Sequence, residues 1–296
     1  MNLKAWLREI RANFLLLSMV LVPLGTSIAA YEGFFNLLHF VLALAGLVVL
    51  HTSVNVLNEY YDYRSGLDFN TIATPFSGGS KVLVMGLLNP KSVYRLGVFC
   101  LAIGTVIGAY FLIVTGWLLL PIVVLGFIAV YFYTTKLAKM MLGELFAGLG
   151  LGALPILGAY LVQTGFYSTA AIATSIVPGI LTFNLLLLNE FPDVDADRKA
   201  GRKNIVIALG RKKAAKVYSA LAVLAFIWLA LSMIMGYMPV TCMLAFLALP
   251  FVAKAVKITL RSYDEVDKLM PALASNVMVA LITPALLTLG FVLAII

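Results

Sequence analysis

The feature that most constrains this chain is a series of long apolar segments, each about 20 residues, which is the length a helix needs to cross a bilayer. Because a backbone in lipid must satisfy its own hydrogen bonds, such segments predict helices packed together. Only 11% of the 296 residues are charged, against about 25% in soluble domains. We therefore predict an all-α integral membrane protein, a nine-transmembrane-helix bundle around a central apolar cavity. The predicted spans cover residues 13–31, 36–60, 92–114, 116–134, 143–164, 169–191, 214–236, 238–260 and 271–295.

The positions of the charged residues predict the orientation of the bundle. All 21 Lys and Arg residues lie in the N-terminal segment, in the longer connections or in the helix ends that flank them. By the positive-inside rule, that side of the cell membrane is cytoplasmic. Of the 13 acidic residues, only Glu32 lies on the other side, so polar chemistry is expected at the cytoplasmic face. An odd number of spans places the N-terminus in the cytoplasm and the C-terminus across the membrane.

Two acidic stretches repeat each other at the ends of the second and sixth predicted spans. Each has the pattern Asn-Glu-aromatic-x-Asp. At helical spacing, Asn58 and Asp62 lie on one face of their helix. The second stretch places Asn189, Asp193 and Asp197 on one face in the same way. If the spans form one bundle, the two copies face each other across the cavity.

Carboxylates crowded in this way need a compensating positive charge. Two of them about 6 Å apart repel by roughly 3 kcal/mol at an effective dielectric constant near 20. Oxygen ligands without a nearby His or Cys favour a hard divalent ion such as Mg²⁺, which also accepts phosphate oxygens. The alternative is a pair of solvated helix ends that carry acidic residues. A pattern shared by two separate stretches favours the metal site.

The loops that follow the two stretches place basic residues beside the carboxylates. Arg64 and Lys81 follow the first stretch, and Arg198 and Lys203 follow the second. Acids that hold Mg²⁺ and cations that bind phosphate oxygens together suit a metal-bridged diphosphate. The alternative for the second basic run is an ordinary positive-inside flank. A diphosphate at the end of an apolar cavity implies a substrate with a lipid tail.

If the lipid tail is allylic, the predicted site can promote loss of the diphosphate from it. Mg²⁺ and basic residues stabilise a departing diphosphate. The carbocation left behind is stabilised by aromatic faces and must be kept from water. Four tyrosines near helix ends can supply such faces, although each also fits an interfacial aromatic belt. They are Tyr60, Tyr61, Tyr131 and Tyr133.

These features resemble the UbiA superfamily of intramembrane prenyltransferases, whose members have nine transmembrane helices and two Asp-rich motifs. The first motif here is Asn58-x-x-x-Asp62 followed by Asp68, and the second begins at Asn189. The resemblance covers nearly the whole chain. It implies transfer of a polyprenyl group from a polyprenyl diphosphate to an aromatic acceptor, with Mg²⁺ as the cofactor. The implied metal ligands are Asn58, Asp62, Asp68, Asn189, Asp193 and Asp197.

Within the superfamily, the chain is most similar to the menaquinone branch, the 1,4-dihydroxy-2-naphthoate polyprenyltransferases. The similarity lies in the stretches that begin at Tyr133, Leu142, Gly158 and Asp193. Glu144 replaces an Asp that is frequent in that branch. The acceptor implied is therefore 1,4-dihydroxy-2-naphthoate, with 4-hydroxybenzoate or a glycerol-phosphate lipid as alternatives.

The resemblance further implies a single transmembrane prenyltransferase domain over residues 1–296. Residues 1–11 are predicted to form an amphipathic surface helix, and residues 61–91 and 192–213 to form cytoplasmic active-site loops. Catalytic roles are implied for Asp62, Asp68, Asp193, Asp197 and Tyr133. Substrate-binding roles are implied for Asn58, Asn189, Arg64, Lys81, Arg198, Lys203 and Glu144.

The expected partners are a polyprenyl diphosphate, an aromatic small-molecule acceptor and membrane lipid, and not nucleic acid. The oligomeric state is left open. A cation-coupled transporter is the second hypothesis, because repeated acidic motifs in a helix bundle also coordinate transported ions. A purely structural role is the third, and two matched acidic motifs argue against it.

Overall fold

A computed structural model describes residues 2–296 as a bundle of helices. Eight helices are long and apolar enough to cross a membrane, and the shorter apolar helix Trp117–Phe132 is the ninth in the bundle. The predicted all-α bundle of nine helices is therefore confirmed. The helices are α1 (Leu3–Glu9), α2 (Ala12–Tyr31), α3 (Leu37–Ser65), α4 (Pro90–Thr115), α5 (Trp117–Phe132), α6 (Gly143–Thr164), α7 (Thr169–Lys199), α8 (Ile205–Leu209), α9 (Arg211–Ile234), α10 (Val240–Ser262) and α11 (Val266–Leu293).

Local sequence signals set several of these helix boundaries. The Asn36 side chain accepts a hydrogen bond from the His39 backbone N–H and caps the start of α3. Asn89 caps α4, whose first residue is Pro90, and Ser168 caps α7. At the other end of α3, Gly66 adopts the left-handed conformation (φ 81°) that terminates many helices. These caps set the starts of α3, α4 and α7 and the end of α3.

The nine spanning helices form a closed ring in which each contacts the next along the chain. Helix α11 then packs against α2 and closes the ring. Residues from α2 to α7 and from α11 line a central cavity, whereas α9 and α10 contribute no lining residue within residues 2–296. Helices α9 and α10 instead pack on the outer side of α7 and α11. The ring therefore has a cavity-forming part and an outer pair of helices.

Helices α6 and α7 approach each other closely through small residues. A Cβ atom at Gly152 would lie 2.7 Å from the Gly179 Cα atom, and one at Gly148 would lie 2.7 Å from the Gly179 carbonyl oxygen. Small residues allow such close packing between helices. Gly150 differs, because it faces Ala129 and lines the cavity.

Helices α3 and α7 run further than the predicted spans. Helix α3 continues to Ser65, and α7 continues through Pro192 to Lys199. The predicted loops over residues 61–91 and 192–213 therefore begin later than expected. Pro192 removes one backbone hydrogen bond but does not end the helix. Both acidic stretches consequently lie on helix, so their expected helical spacing is real.

The N-terminal segment differs in part from the predicted surface helix. Helix α1 is short, with Leu3 and Leu7 exposed. Its Ala5 and Glu9 are buried, so α1 packs onto the protein as well as facing outward. Arg11 follows α1 in a left-handed conformation (φ 50°), which turns the chain into α2.

Candidate active site

A cavity of about 440 Å³ joins the two acidic stretches to an apolar space within the bundle. All six predicted metal ligands line it: Asn58, Asp62, Asp68, Asn189, Asp193 and Asp197. The predicted meeting of the two stretches across a cavity therefore occurs in the structure. Away from the acidic end, the lining is mostly aliphatic and aromatic, and includes Leu119, Ile122, Phe111 and Val162.

The first motif is organised by hydrogen bonds along α3. The Asn58 amide donates to Asp62 Oδ2 at 3.0 Å and to the Thr134 hydroxyl oxygen at 3.0 Å. The Asn58 Oδ1 atom accepts a long hydrogen bond of 3.4 Å from the Arg11 guanidinium. Helical i, i+4 spacing explains the contact between Asn58 and Asp62. The contacts from Thr134 and Arg11 come from other parts of the chain.

Arg202 links the two motifs directly. Its guanidinium forms an ion pair with Asp62 of the first motif and contacts Asp197 Oδ1 of the second motif at 3.3 Å. Asn204 also donates to Asp197, at 3.3 Å. One cation thus neutralises carboxylates from α3 and α7 together. The basic residue that joins the motifs is Arg202, whereas the sequence pointed to its neighbours Arg198 and Lys203.

The loop between α3 and α4 holds the other two carboxylates. The Gly78 backbone N–H donates to Asp193 Oδ2 at 3.0 Å. The adjacent Gly79 lies against Asp68, because a Cβ atom there would be 2.6 Å from Asp68 Oδ1. Both glycines have positive φ, 82° and 77°, which suits this close approach of backbone to carboxylate. The loop therefore carries contacts to both motifs.

Burial changes the protonation of Asp68. Desolvation, followed by the nearby charges of Glu59 and Asp62, raises the pKa of the Asp68 carboxyl to about 7. A positive charge at this end of the cavity favours the ionised form, since opposite charges lower the pKa of a carboxyl group.

The predicted substrate-binding cations differ in their positions. Lys203 lines the cavity, whereas the side chains of Arg64 and Arg198 are exposed and lie outside its lining. Lys81 is buried and also lies outside the lining. Glu144 is buried and accepts a hydrogen bond of 2.7 Å from the Ile205 backbone N–H, so it fixes the start of α8.

A buried polar cluster ties the N-terminal segment to the first motif. Arg11 forms an ion pair with Glu59, which also accepts from the Ser80 backbone N–H at 2.9 Å. The Ser80 hydroxyl is 2.7 Å from Glu59 Oε2 and 3.0 Å from Glu9 Oε2. Desolvation, followed by the charge of Glu59, raises the pKa of Glu9 to about 8, so Glu9 is mostly protonated at pH 7. Glu59 therefore anchors the loop and the N-terminal segment.

Tyr133 lies at the acidic end of the cavity, at the end of α5. Burial, followed by the charge of Glu190, raises the pKa of its phenol, so the hydroxyl stays protonated. The other tyrosines with predicted aromatic faces, Tyr60, Tyr61 and Tyr131, are absent from the lining, which is drawn from residues 2–296. Of these four tyrosines, only Tyr133 lines the cavity.

The carboxylate and amide oxygens at the acidic end of the cavity are suitable ligands for a hard cation. Asn189 Oδ1 is buried and has no hydrogen-bond partner, although it belongs to a residue that lines the cavity. An amide oxygen beside carboxylates suits Mg²⁺. Within residues 2–296, no three acidic, His or Cys side chains already converge as a metal site. The carboxylates of Asp62 and Asp197 are instead held together by Arg202.

We predict that Lys81 holds the loop and does not bind diphosphate. Its ammonium donates to the carbonyl oxygens of Asp68 and Thr71, at 2.5 and 2.9 Å, and to the Thr71 hydroxyl at 2.5 Å. Lys81→Met leaves these buried acceptors without a donor, at a cost of about 2 kcal/mol. We expect a lower melting temperature and faster proteolysis between residues 66 and 81. Lys203→Met is the matched control and should leave the melting temperature and the rate of proteolysis unchanged. A wild-type melting temperature for Lys81→Met would contradict this role of Lys81.

The chain is similar in sequence to known proteins. The UbiA prenyltransferase family matches residues 18–294. A protein of Bacillus subtilis (strain 168) named 1,4-dihydroxy-2-naphthoate octaprenyltransferase is 31% identical over 250 residues, which cover 83% of this chain and 79% of that protein. The protein of the same name from Escherichia coli (strain K12) is 26% identical and covers 98% of this chain and 96% of its own length.

The fold is also similar to that of solved structures. A UbiA homolog from Archaeoglobus fulgidus bound to GPP and Mg²⁺ superimposes with a TM-score of 0.64, covering 97% of this chain and 99% of that one. The sequence identity is 14%, so this likeness concerns the fold. A structure of a UbiA homolog from the same organism bound to Cd²⁺ gives a TM-score of 0.66 at 16% identity.

Proposed function

The chain belongs to the UbiA prenyltransferase family and is a membrane-embedded prenyltransferase, and from this we propose that its acceptor is 1,4-dihydroxy-2-naphthoate. The donor in this proposal is an allylic polyprenyl diphosphate. The observation that carries the proposal is the cavity, which joins both acidic motifs to an apolar space suited to a prenyl tail. The acceptor follows from the two bacterial relatives that bear the naphthoate octaprenyltransferase name.

The residues of the cavity have distinct roles in this reaction. The allylic C–O bond breaks and both electrons leave with the diphosphate, and a ring carbon of the acceptor forms the new C–C bond. That carbon then loses a proton or, if it carries the carboxylate, CO₂, and the bonding electrons return to the ring to restore aromaticity. Arg202, Arg11 and Lys203 are the cavity-lining cations that bind and orient the diphosphate. The apolar lining excludes water from the carbocation.

Mg²⁺ fits the oxygen ligands of both motifs and, when bound, would supply charge neutralisation for the leaving diphosphate. We assign its ligands as Asp62, Asp68, Asp193, Asp197, Asn58 and Asn189. The donor chemistry and the unpartnered Asn189 oxygen support this assignment. Tyr133 offers a protonated phenol and an aromatic face at the same end.

We also propose that this acidic end faces the cytoplasm. The protein is a multi-pass membrane protein, and its Lys and Arg residues lie on the side of the motifs. The positive-inside rule supports a cytoplasmic N-terminus and active site, with the C-terminus on the opposite side. The transporter hypothesis has no support from the comparisons, which give prenyltransferases.

The test is prenyl transfer by purified protein in detergent. A mixture of prenyl diphosphates is offered with 1,4-dihydroxy-2-naphthoate, 4-hydroxybenzoate or a glycerol-phosphate lipid, and products are identified by mass spectrometry. We expect the prenylated naphthoate product, and a loss of about 100-fold or more in rate with EDTA that excess Mg²⁺ restores. Preference for another acceptor would overturn the acceptor assignment, and full activity in EDTA would overturn the role of the metal.

A further inference from the structure

Helix α9 has a row of exposed lysines in its first turns. Its exposed face begins with Lys212, Lys213 and Lys216 and continues with the exposed side chains of Val223 and Ile227. Lys212, Lys216, Val223 and Ile227 follow one another at intervals of four, seven and four residues, so they lie along one side of the helix. The lysines therefore lie on the same exposed side as the aliphatic residues.

Helix α10 shows the reverse order, from apolar to basic, along its exposed side. Met243 and Leu247 are exposed in its first half, and Lys254, Lys257 and Arg261 are exposed in its second half. Lys254, Lys257 and Arg261 follow one another at intervals of three and four residues, so they lie along one side of the α-helical part of α10 (Leu249–Ser262). Lys254 lies about 12 Å from the end of α10 at 1.5 Å per residue.

The two sets of cations lie next to each other. Helix α9 begins, and α10 ends, on the side of the membrane that carries the acidic motifs. Ala215 of α9 and Ala255 of α10 belong to one buried apolar cluster. Because Lys216 and Lys254 adjoin these alanines, the exposed cations of both helices flank the same helix contact. We call these six residues the basic rows: Lys212, Lys213, Lys216, Lys254, Lys257 and Arg261.

The basic rows have no role in the active site and no internal partner. None of the six lines the cavity, and none forms an ion pair within residues 2–296. Ammonium groups within a membrane span are costly unless they reach the interface or an opposite charge. Of the acids that follow α10, Glu265 pairs with Lys268 at 2.6 Å, whereas Asp264 and Asp267 are exposed and form no ion pair with the basic rows within residues 2–296.

We propose that the basic rows bind an anionic glycerophospholipid. Its headgroup phosphate lies between the cations of α9 and α10, and its acyl chains lie along the exposed apolar residues that continue both rows. The charge and the apolar continuation together match a lipid, whereas a free phosphate would use only the cations. Basic sites between transmembrane helices suit such headgroups. The site lies on the outer helices, away from the cavity, and does not depend on the acceptor proposed above.

The test compares lipid binding by native mass spectrometry of delipidated protein in detergent. The probes are diphosphatidylglycerol, phosphatidylglycerol and phosphatidylcholine at equal concentrations. We expect the wild type to bind the two anionic lipids at least about ten-fold more tightly than phosphatidylcholine. The triple variant Lys216→Gln, Lys254→Gln, Lys257→Gln should lose this preference.

The matched control removes three other exposed cations, Lys4, Lys91 and Arg95, which lie on α1 and α4. It should keep the preference within two-fold. Equal losses in both variants would indicate a general charge effect and overturn the site, as would retained preference in the first variant. Lys→Arg at the same three positions should keep binding, which separates loss of charge from loss of folding. An inactive but lipid-selective protein would reject the proposed function and leave this inference intact.

Discussion

Asp62→Ala and Asp193→Ala are each expected to lower the rate of prenyl transfer by about 1,000-fold or more. Each carboxylate comes from a different motif, and both line the same end of the cavity. Electrostatic groups aimed at the charge that develops in a transition state contribute about 100- to 1,000-fold each, and a lost metal ligand removes more than its own charge. The measurement is single-turnover transfer with saturating prenyl diphosphate and Mg²⁺.

Asp195→Ala is the matched control for these two variants. Asp195 lies on the same helix, but its side chain is 76% exposed and it contacts Arg211 at 3.7 Å, outside the cavity lining. We expect its activity within two-fold of wild type. Melting temperatures of all three variants separate folding from chemistry. Full activity of both Asp62→Ala and Asp193→Ala would contradict the proposed site.

Arg202→Gln is expected to cause the second-largest loss, about 100-fold in kcat/KM for the prenyl diphosphate. The guanidinium contacts Asp62 and Asp197, and its side chain is 20% exposed. Removing it leaves two buried carboxylates without their shared partner, and removes a cation from the proposed diphosphate site. The measurement is the dependence of the initial rate on the concentration of prenyl diphosphate.

Two further variants define what Arg202 supplies. Arg202→Lys keeps the charge but loses the planar fork that contacts two carboxylates, so we expect partial activity. Arg198→Gln removes an exposed cation from the same segment and should retain nearly full activity. If Arg198→Gln is as inactive as Arg202→Gln, the bridge between the motifs is not the source of the effect.

Much of the site could be predicted from the sequence, because which residues share a face of a helix depends only on their spacing along the chain. Asn58 and Asp62 share a face on α3, and Asp193 and Asp197 share one on α7, wherever those helices lie in the bundle. The sequence also placed both motifs at one membrane face, since basic residues mark that side. The contacts made by loops could not be predicted in this way. Lys81, for example, turns its ammonium toward its own loop.

Two of the residues missed by the sequence act across long separations in the chain. Arg11 reaches Glu59 from the N-terminal segment, and Arg202 reaches Asp62 from the segment after α7. One signal was available for Asn204, which precedes a short apolar run as a helix-capping residue does. Within a run such as Arg198 to Lys203, composition cannot show which cation faces inward.

The sequence by itself determined the number of spans, the spacing of the acidic residues along their helices and the side of the bundle that carries the charges. These properties follow from hydropathy and from helical periodicity, which neighbouring residues set. Only the tertiary structure decided which cation joins the two motifs and which helices surround the cavity. It also placed the basic rows of α9 and α10 on the outside. The reason is physical: loop direction and helix order depend on packing between distant segments, and no local pattern encodes that packing.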